Sequence, residues 1–107
     1  MLAIKRKRIK NNIVKIKSFR QLEHHLKGVA NYRRIQILFL IAGNNGITVD
    51  NIAIKLKCNV KTISGHLLRL TQAGLIRKNN KGNMIAHELS PYGKVFYKFL
   101  NSFSHLK

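Results

Sequence analysis

Apolar and polar positions repeat most regularly between Ile47 and Ile76, in ITVDNIAIKLKCNVKTISGHLLRLTQAGLI. Ile52, Ala53 and Leu56 recur at helical spacing, and so do Val60, Ile63, Leu67 and Leu70. Two amphipathic helices, each turning one face to a shared core, are therefore expected. Only Lys57-Cys58-Asn59 separates them, which leaves room for a tight turn and nothing more. Two short helices joined this closely form a helix-turn-helix, whose second helix can enter a DNA major groove. Thr48 is suited to cap the first helix, with Asp50 and Asn51 in its opening turn. Asn59 is suited to cap the second, predicted from about Val60 to Ala73, with Gly74 as its C-cap.

The flanking pattern predicts three further helices and a hairpin. Ser18 is an acceptable N-cap for a helix whose seam is Phe19, Leu22, Leu26 and Val29. Asn31 opens the next, YRRIQILFLIA, expected to close at Gly43 in a left-handed C-cap before the turn Asn44-Asn45-Gly46. Ile35, Leu38, Phe39 and Ala42 share a face that Ile37 and Ile41 widen, so this helix should sit at the centre of the core. After Gly74, Leu75-Ile76-Arg77 and Met84 to Leu89 are extended candidates around a basic loop from Lys78 to Asn83, a β-hairpin. Ser90-Pro91 starts the last helix, with Pro at its first position. That helix carries a stripe of Tyr92, Val95, Phe96, Phe99, Leu100 and Phe103.

Composition then narrows the partner. The chain has 107 residues, 45% of them hydrophobic, enough for one modest globular core. Its net charge is +18, from 21 basic and 3 acidic residues (Glu23, Asp50 and Glu88). Such a charge repels itself unless a polyanion neutralises it, and with the helix-turn-helix it points to nucleic acid. AT-rich codon usage could inflate Lys, Asn and Ile, but it does not explain the scarcity of acids. Residues 1–17 hold seven basic residues and no acid, and Lys5, Arg6, Lys7 and Arg8 fall together. This block is expected to be a flexible arm, either binding nucleic acid or merely solvated; residues 18–107 form the domain proper.

Other function classes are poorly supported. Cys58 is the only cysteine, so no intramolecular disulfide forms; it is expected to be a small buried hydrophobe. The longest wholly apolar run, Ile37 to Ala42, cannot span a bilayer, and the basic start lacks the apolar stretch of a secretory signal. A cytoplasmic protein of a prokaryote, associated with the nucleoid and not with a membrane, is expected. His24, His25, His66, His87 and His105 form no His-x-x-x-His pair, and no metal or other cofactor is expected. His66 is expected to pack or bridge at the domain surface rather than read a base. There is no carboxylate pair, nucleophile-base motif or glycine-rich phosphate loop, so the chain is not expected to be an enzyme.

From about Leu26 to Gly93 the sequence resembles winged-helix regulators of the ArsR type. Ala30-Asn31, Arg34 and Ile35 to Leu38 match one family segment. Thr62-Ile63-Ser64-Gly65-His66-Leu67-Leu68-Arg69-Leu70 and Ala73-Gly74-Leu75-Ile76 resemble the family's T-V-S-x-H-L-x-x-L and A-G-L-V. Gly65 departs from the Arg or Gln often found there, and the cysteine motif of the family's metal sensors is absent. The resemblance implies a homodimer built from the terminal helices, through Phe19, Leu22, Leu26, Tyr92, Val95, Phe96, Phe99 and Phe103.

The expected fold is mainly α with a small β-hairpin wing, a winged helix-turn-helix with its terminal helices at a dimer interface. Lys61, Thr62, Ser64, Gly65 and Arg69 are expected to face double-stranded DNA from the recognition helix, and Arg77, Lys78 and Lys81 from the wing. The expected role is a sequence-preferring transcription regulator, a repressor; the alternative is an architectural DNA-binding or RNA-binding protein without sequence choice. A protein-interaction adaptor is a third reading.

Overall fold

The computed structural model describes residues 7–9, 12–14 and 16–106. Strands β1 (Lys7–Ile9) and β2 (Asn12–Val14) pair antiparallel, Arg8 opposite Ile13. Helices α1 (Phe19–Val29), α2 (Tyr32–Gly43), α3 (Val49–Leu56) and α4 (Val60–Gln72) follow. Strands β3 (Ile76–Lys81) and β4 (Met84–Leu89) form the second hairpin, and α5 (Pro91–Ser104) closes the domain. This is a winged helix-turn-helix.

Each helix begins on a side chain that satisfies amides left free by the first turn. Ser18 and Gln21 form a reciprocal capping box on α1. The Asn31 carboxamide oxygen accepts from the Arg33 and Arg34 amides on α2. Thr48, Asn59 and Ser90 do the same for α3, α4 and α5.

The core is apolar and shared by α2, α3, α4 and the root of the hairpin. Ile37, Leu38, Ile41, Ile52, Ile63, Leu70 and Leu75 are fully buried in it. In α2 the deepest face is thus Ile37-Leu38-Ile41, while Ile35, Phe39 and Ala42, expected to lead, lie half-buried at its margin. Neighbours press on that helix from several sides, so the apolar pattern alone does not mark its deepest line. Val29 is also buried and leaves the α1 seam at Leu26.

Two boundaries differ from expectation. Gly43 is the last helical residue of α2, not a left-handed cap. Asn44 ends the helix instead: its amide donates to the Ile41 carbonyl and its side chain donates to the Leu40 carbonyl at 2.9 Å. The left-handed turn residue is Gly46, at φ 88. The expected loop from Lys78 to Asn83 shrinks to Gly82-Asn83, because β3 continues to Lys81. Gly82 takes φ 65 and Asn83 does not follow it to positive φ, the type II′ pattern whose twist suits a hairpin. A wing bathed in solvent needs no apolar alternation, so polar residues extend it without cost to the core.

Besides its apolar root, the hairpin is tied back to the body by backbone hydrogen bonds at Ile47. Ile47 makes an isolated bridge to His87, through His87 N–H to Ile47 O at 3.0 Å and Gly46 N–H to His87 O at 2.9 Å. The buried His87 ring adds an Nδ1–H donated to the same Ile47 carbonyl at 3.1 Å. Helix-turn-helix and wing thereby hold one fixed relation.

Candidate nucleic-acid interface

The turn between α3 and α4 is a Schellman motif built without glycine. Lys57 adopts φ 54, ψ 47; the Cys58 amide reaches Ala53 O at 3.0 Å and the Lys57 amide reaches Ile54 O at 3.2 Å. Cys58 is half-buried against the core, with Sγ 3.4 Å from Leu56 O. At the far end of α4, Gly74 takes φ 75; Leu75 N–H meets Leu70 O at 3.0 Å and Gly74 N–H meets Thr71 O at 2.9 Å. Gly74 thus ends the recognition helix, as the Asn59 cap begins it.

Its faces are sharply divided. Ile63, Leu67 and Leu70 are buried, whereas Lys61, Thr62, Ser64, Gly65 and Arg69 are all exposed. Arg77, Lys78 and Lys81 are exposed along β3. Lys7 and Arg8 lie on β1; Lys5 and Arg6 fall outside the described residues. Among the described residues the sole ion pair is Lys27 with Glu23, 3.6 Å apart on α1, so the cations of α4 and β3 carry no carboxylate partner. An uncompensated cationic surface along the exposed face of a helix is suited to a polyanion.

Residues beyond the expected set flank α4. Arg34 reaches from α2 to within 3.5 Å of His66 Nδ1, and its Nε is buried without a partner. Burial, with the charges of Arg34 and Arg33, holds His66 below the ordinary imidazole value. His66 is therefore the expected bridge at the domain surface. His24 Nε2–H and His25 Nδ1–H donate from α1 to the Gln72 and Ala73 carbonyls, at 3.0 and 2.6 Å. Only a three-dimensional fold shows that these histidines cap the end of α4. Leu68 also lies beyond the expected set: it is 50% exposed on the outward face, a position legible in its spacing from Lys61 and Gly65.

The terminal helices leave an apolar surface open. Phe19, Leu22 and Leu26 of α1 are exposed, as are Tyr92, Val95, Phe99 and Phe103 of α5. Phe96 is half-buried against the core. An open groove of about 600 Å³ is lined by Phe19, Leu22, Leu26, Val29, Ile35 and Leu100. Among the described residues no helix is long and apolar enough to cross a membrane. No group of three or more His, Cys, Asp or Glu among them is placed to hold a metal ion.

Comparison with known proteins agrees with this architecture. A family described as a winged helix-turn-helix domain matches residues 33–88. No curated protein matches the sequence. Among solved structures, the chain is similar to the homodimeric winged helix-turn-helix DNA-binding domain of a possible ArsR-family transcriptional regulator from Mycobacterium bovis. Identity is 25% and TM-score 0.73, over 88% of this chain and 94% of that one. It is similar to the transcriptional regulator HlyU from Vibrio vulnificus at 28% identity and TM-score 0.68, over 78% and 88% of the two chains. The transcriptional repressor PagR of Bacillus anthracis, 24% identical with TM-score 0.67 over 78% and 99%, shares the fold. With more than half its length matched, from the first turn of α2 to the end of the wing, the chain belongs to the winged helix-turn-helix domain family.

Proposed function

We propose that this chain is a homodimeric, sequence-preferring DNA-binding transcription regulator of ArsR type that represses by occupying a promoter. The observation that carries the reading is the division of α4: a buried apolar line behind an outward face bearing Lys61, Thr62, Ser64 and Arg69. On this reading the N-terminal half of α4 enters the major groove. Arg77, Lys78 and Lys81 lie on backbone phosphate or in the minor groove, and the basic segment before α1 adds non-specific charge. Phe19, Leu22 and Leu26 meet α5 residues Tyr92, Val95, Phe99 and Phe103 of a second copy, setting two α4 helices about one DNA turn apart. The homodimeric Mycobacterium bovis domain supports the assembly.

The outward face offers few base-selective side chains, an observation that favours the non-specific architectural reading. Competition between random duplex and a duplex selected from a random pool separates the two. A regulator prefers the selected duplex, and K61A with R69A weakens binding to both; equal affinity would leave the architectural role.

A further inference from the structure

At 100° per residue, the line on α4 opposite buried Ile63, Leu67 and Leu70 runs through Lys61, Gly65, Leu68 and Gln72. Its middle is therefore apolar and stepped. Leu68 stands half in solvent and adds nothing to the core. One turn earlier Gly65 presents bare backbone, and a Cβ there would meet no other atom within 4 Å. Leu68 is not part of the exposed patch on α1 and α5 either. Helix α1 crosses α4 at Ala73, where Gly28 packs against it, on another side of the helix.

In the docking proposed above, on which this inference rests, the N-terminal half of α4 enters the groove, and Leu68, on the next turn after Gly65 along the outward line, follows it toward the base edges. Leucine can neither donate nor accept a hydrogen bond, so it reads none of the polar pattern of the groove. The major groove carries one apolar group, the C5-methyl of thymine, and an aliphatic side chain is its natural contact. The missing side chain at Gly65 lets the helix backbone come near the base edges, and so brings Leu68 within reach of that methyl. Lys61 and Arg69 on either side supply the phosphate attraction that a leucine lacks. We infer that Leu68, with the clearance left at Gly65, is a specificity-determining residue that selects thymine by its methyl group.

The test replaces thymines one at a time by deoxyuridine in a duplex selected from a random pool, which removes the methyl and leaves pairing intact. At one or two positions in each half-site, affinity of the wild-type chain is expected to drop about fourfold, the worth of one buried methyl. L68A, which leaves the core untouched, is expected to bind the thymine and uracil duplexes equally. Equal losses in wild type and L68A, or none in either, would overturn the assignment while leaving DNA binding in place. Failure of the wild-type chain to bind any duplex would instead remove the reading beneath it. G65Q adds a side chain where the protein has room; it is expected to abolish the thymine preference, and an undiminished preference would refute the clearance argument.

Discussion

Lys57 is the sole non-glycine residue at positive φ among the described residues, held at φ 54 by the turn that aims α4. A Cβ in this conformation costs about 1 kcal/mol, which glycine avoids. Lys57→Gly is therefore expected to raise unfolding stability by about 0.5–1 kcal/mol in urea melts. A loss would mean that the lysine side chain holds the turn. His87 shows the opposite problem, a titratable ring in a dry place. Burial is the main cause that holds it below its ordinary 6.5; its bond to the Ile47 carbonyl opposes that, and Lys78 across the hairpin adds to it. The sign follows from linkage: below pH 6.5 the unfolded chain binds protons that the folded chain refuses. Stability is therefore complete above that value and falls as the solution is acidified, by up to about 1.4 kcal/mol per pH unit for one proton. His66 shifts in the same direction. Thermal melts of His87→Asn should show a shallower acid slope than wild type, and an unchanged slope would exclude His87 as the cause.

At the scale of elements, three helical glycines do different work. Gly93 opens α5 where its Cβ would strike the Leu75 carbonyl, and Gly28 lets α1 lie directly on Ala73. Gly65 has no neighbour to accommodate. Gly93→Ala is expected to lose about 1–3 kcal/mol through overpacking, whereas Gly65→Ala gains about 1 kcal/mol from helix propensity. Chemical denaturation of the two variants checks the contrast, and shifts of equal sign would contradict it. Nothing in the sequence distinguishes these glycines, because what matters is which element crosses above each. The helices and the wing were legible, whereas the pairing of β1 with β2 inside the basic arm was not. Five helices start on the capping residues that the sequence offers, and the buried line of α4 follows its 3.6-residue period. The extent of β3 was not legible, since its Lys and Asn residues spell a loop locally and only pairing with β4 makes them a strand. The same limit hid Arg34 beside His66 and the α1 histidines at the end of α4, contacts between residues 32 and 48 positions apart.

The whole molecule is a cationic body with an apolar face. Its +18 charge opposes compactness, and the exposed residues of α1 and α5 leave hydrophobic surface unspent. A second copy would cover that face, and DNA would neutralise the charge. Leu26→Glu and Phe99→Glu, both on exposed positions, are expected to yield folded monomers by sedimentation, with markedly weaker duplex binding. Dimers of unchanged mass would place the interface elsewhere. The central claim, that the outward face of α4 and the wing grip duplex DNA through its phosphates, is tested most directly by the salt dependence of duplex affinity. Each phosphate contact releases counterion and contributes about 0.9 to the slope of log affinity against log salt concentration. With contacts from α4 and β3 of two copies, a linear fall with a slope of about 5 or more is predicted. Affinity that stays level from low to moderate salt would contradict the account.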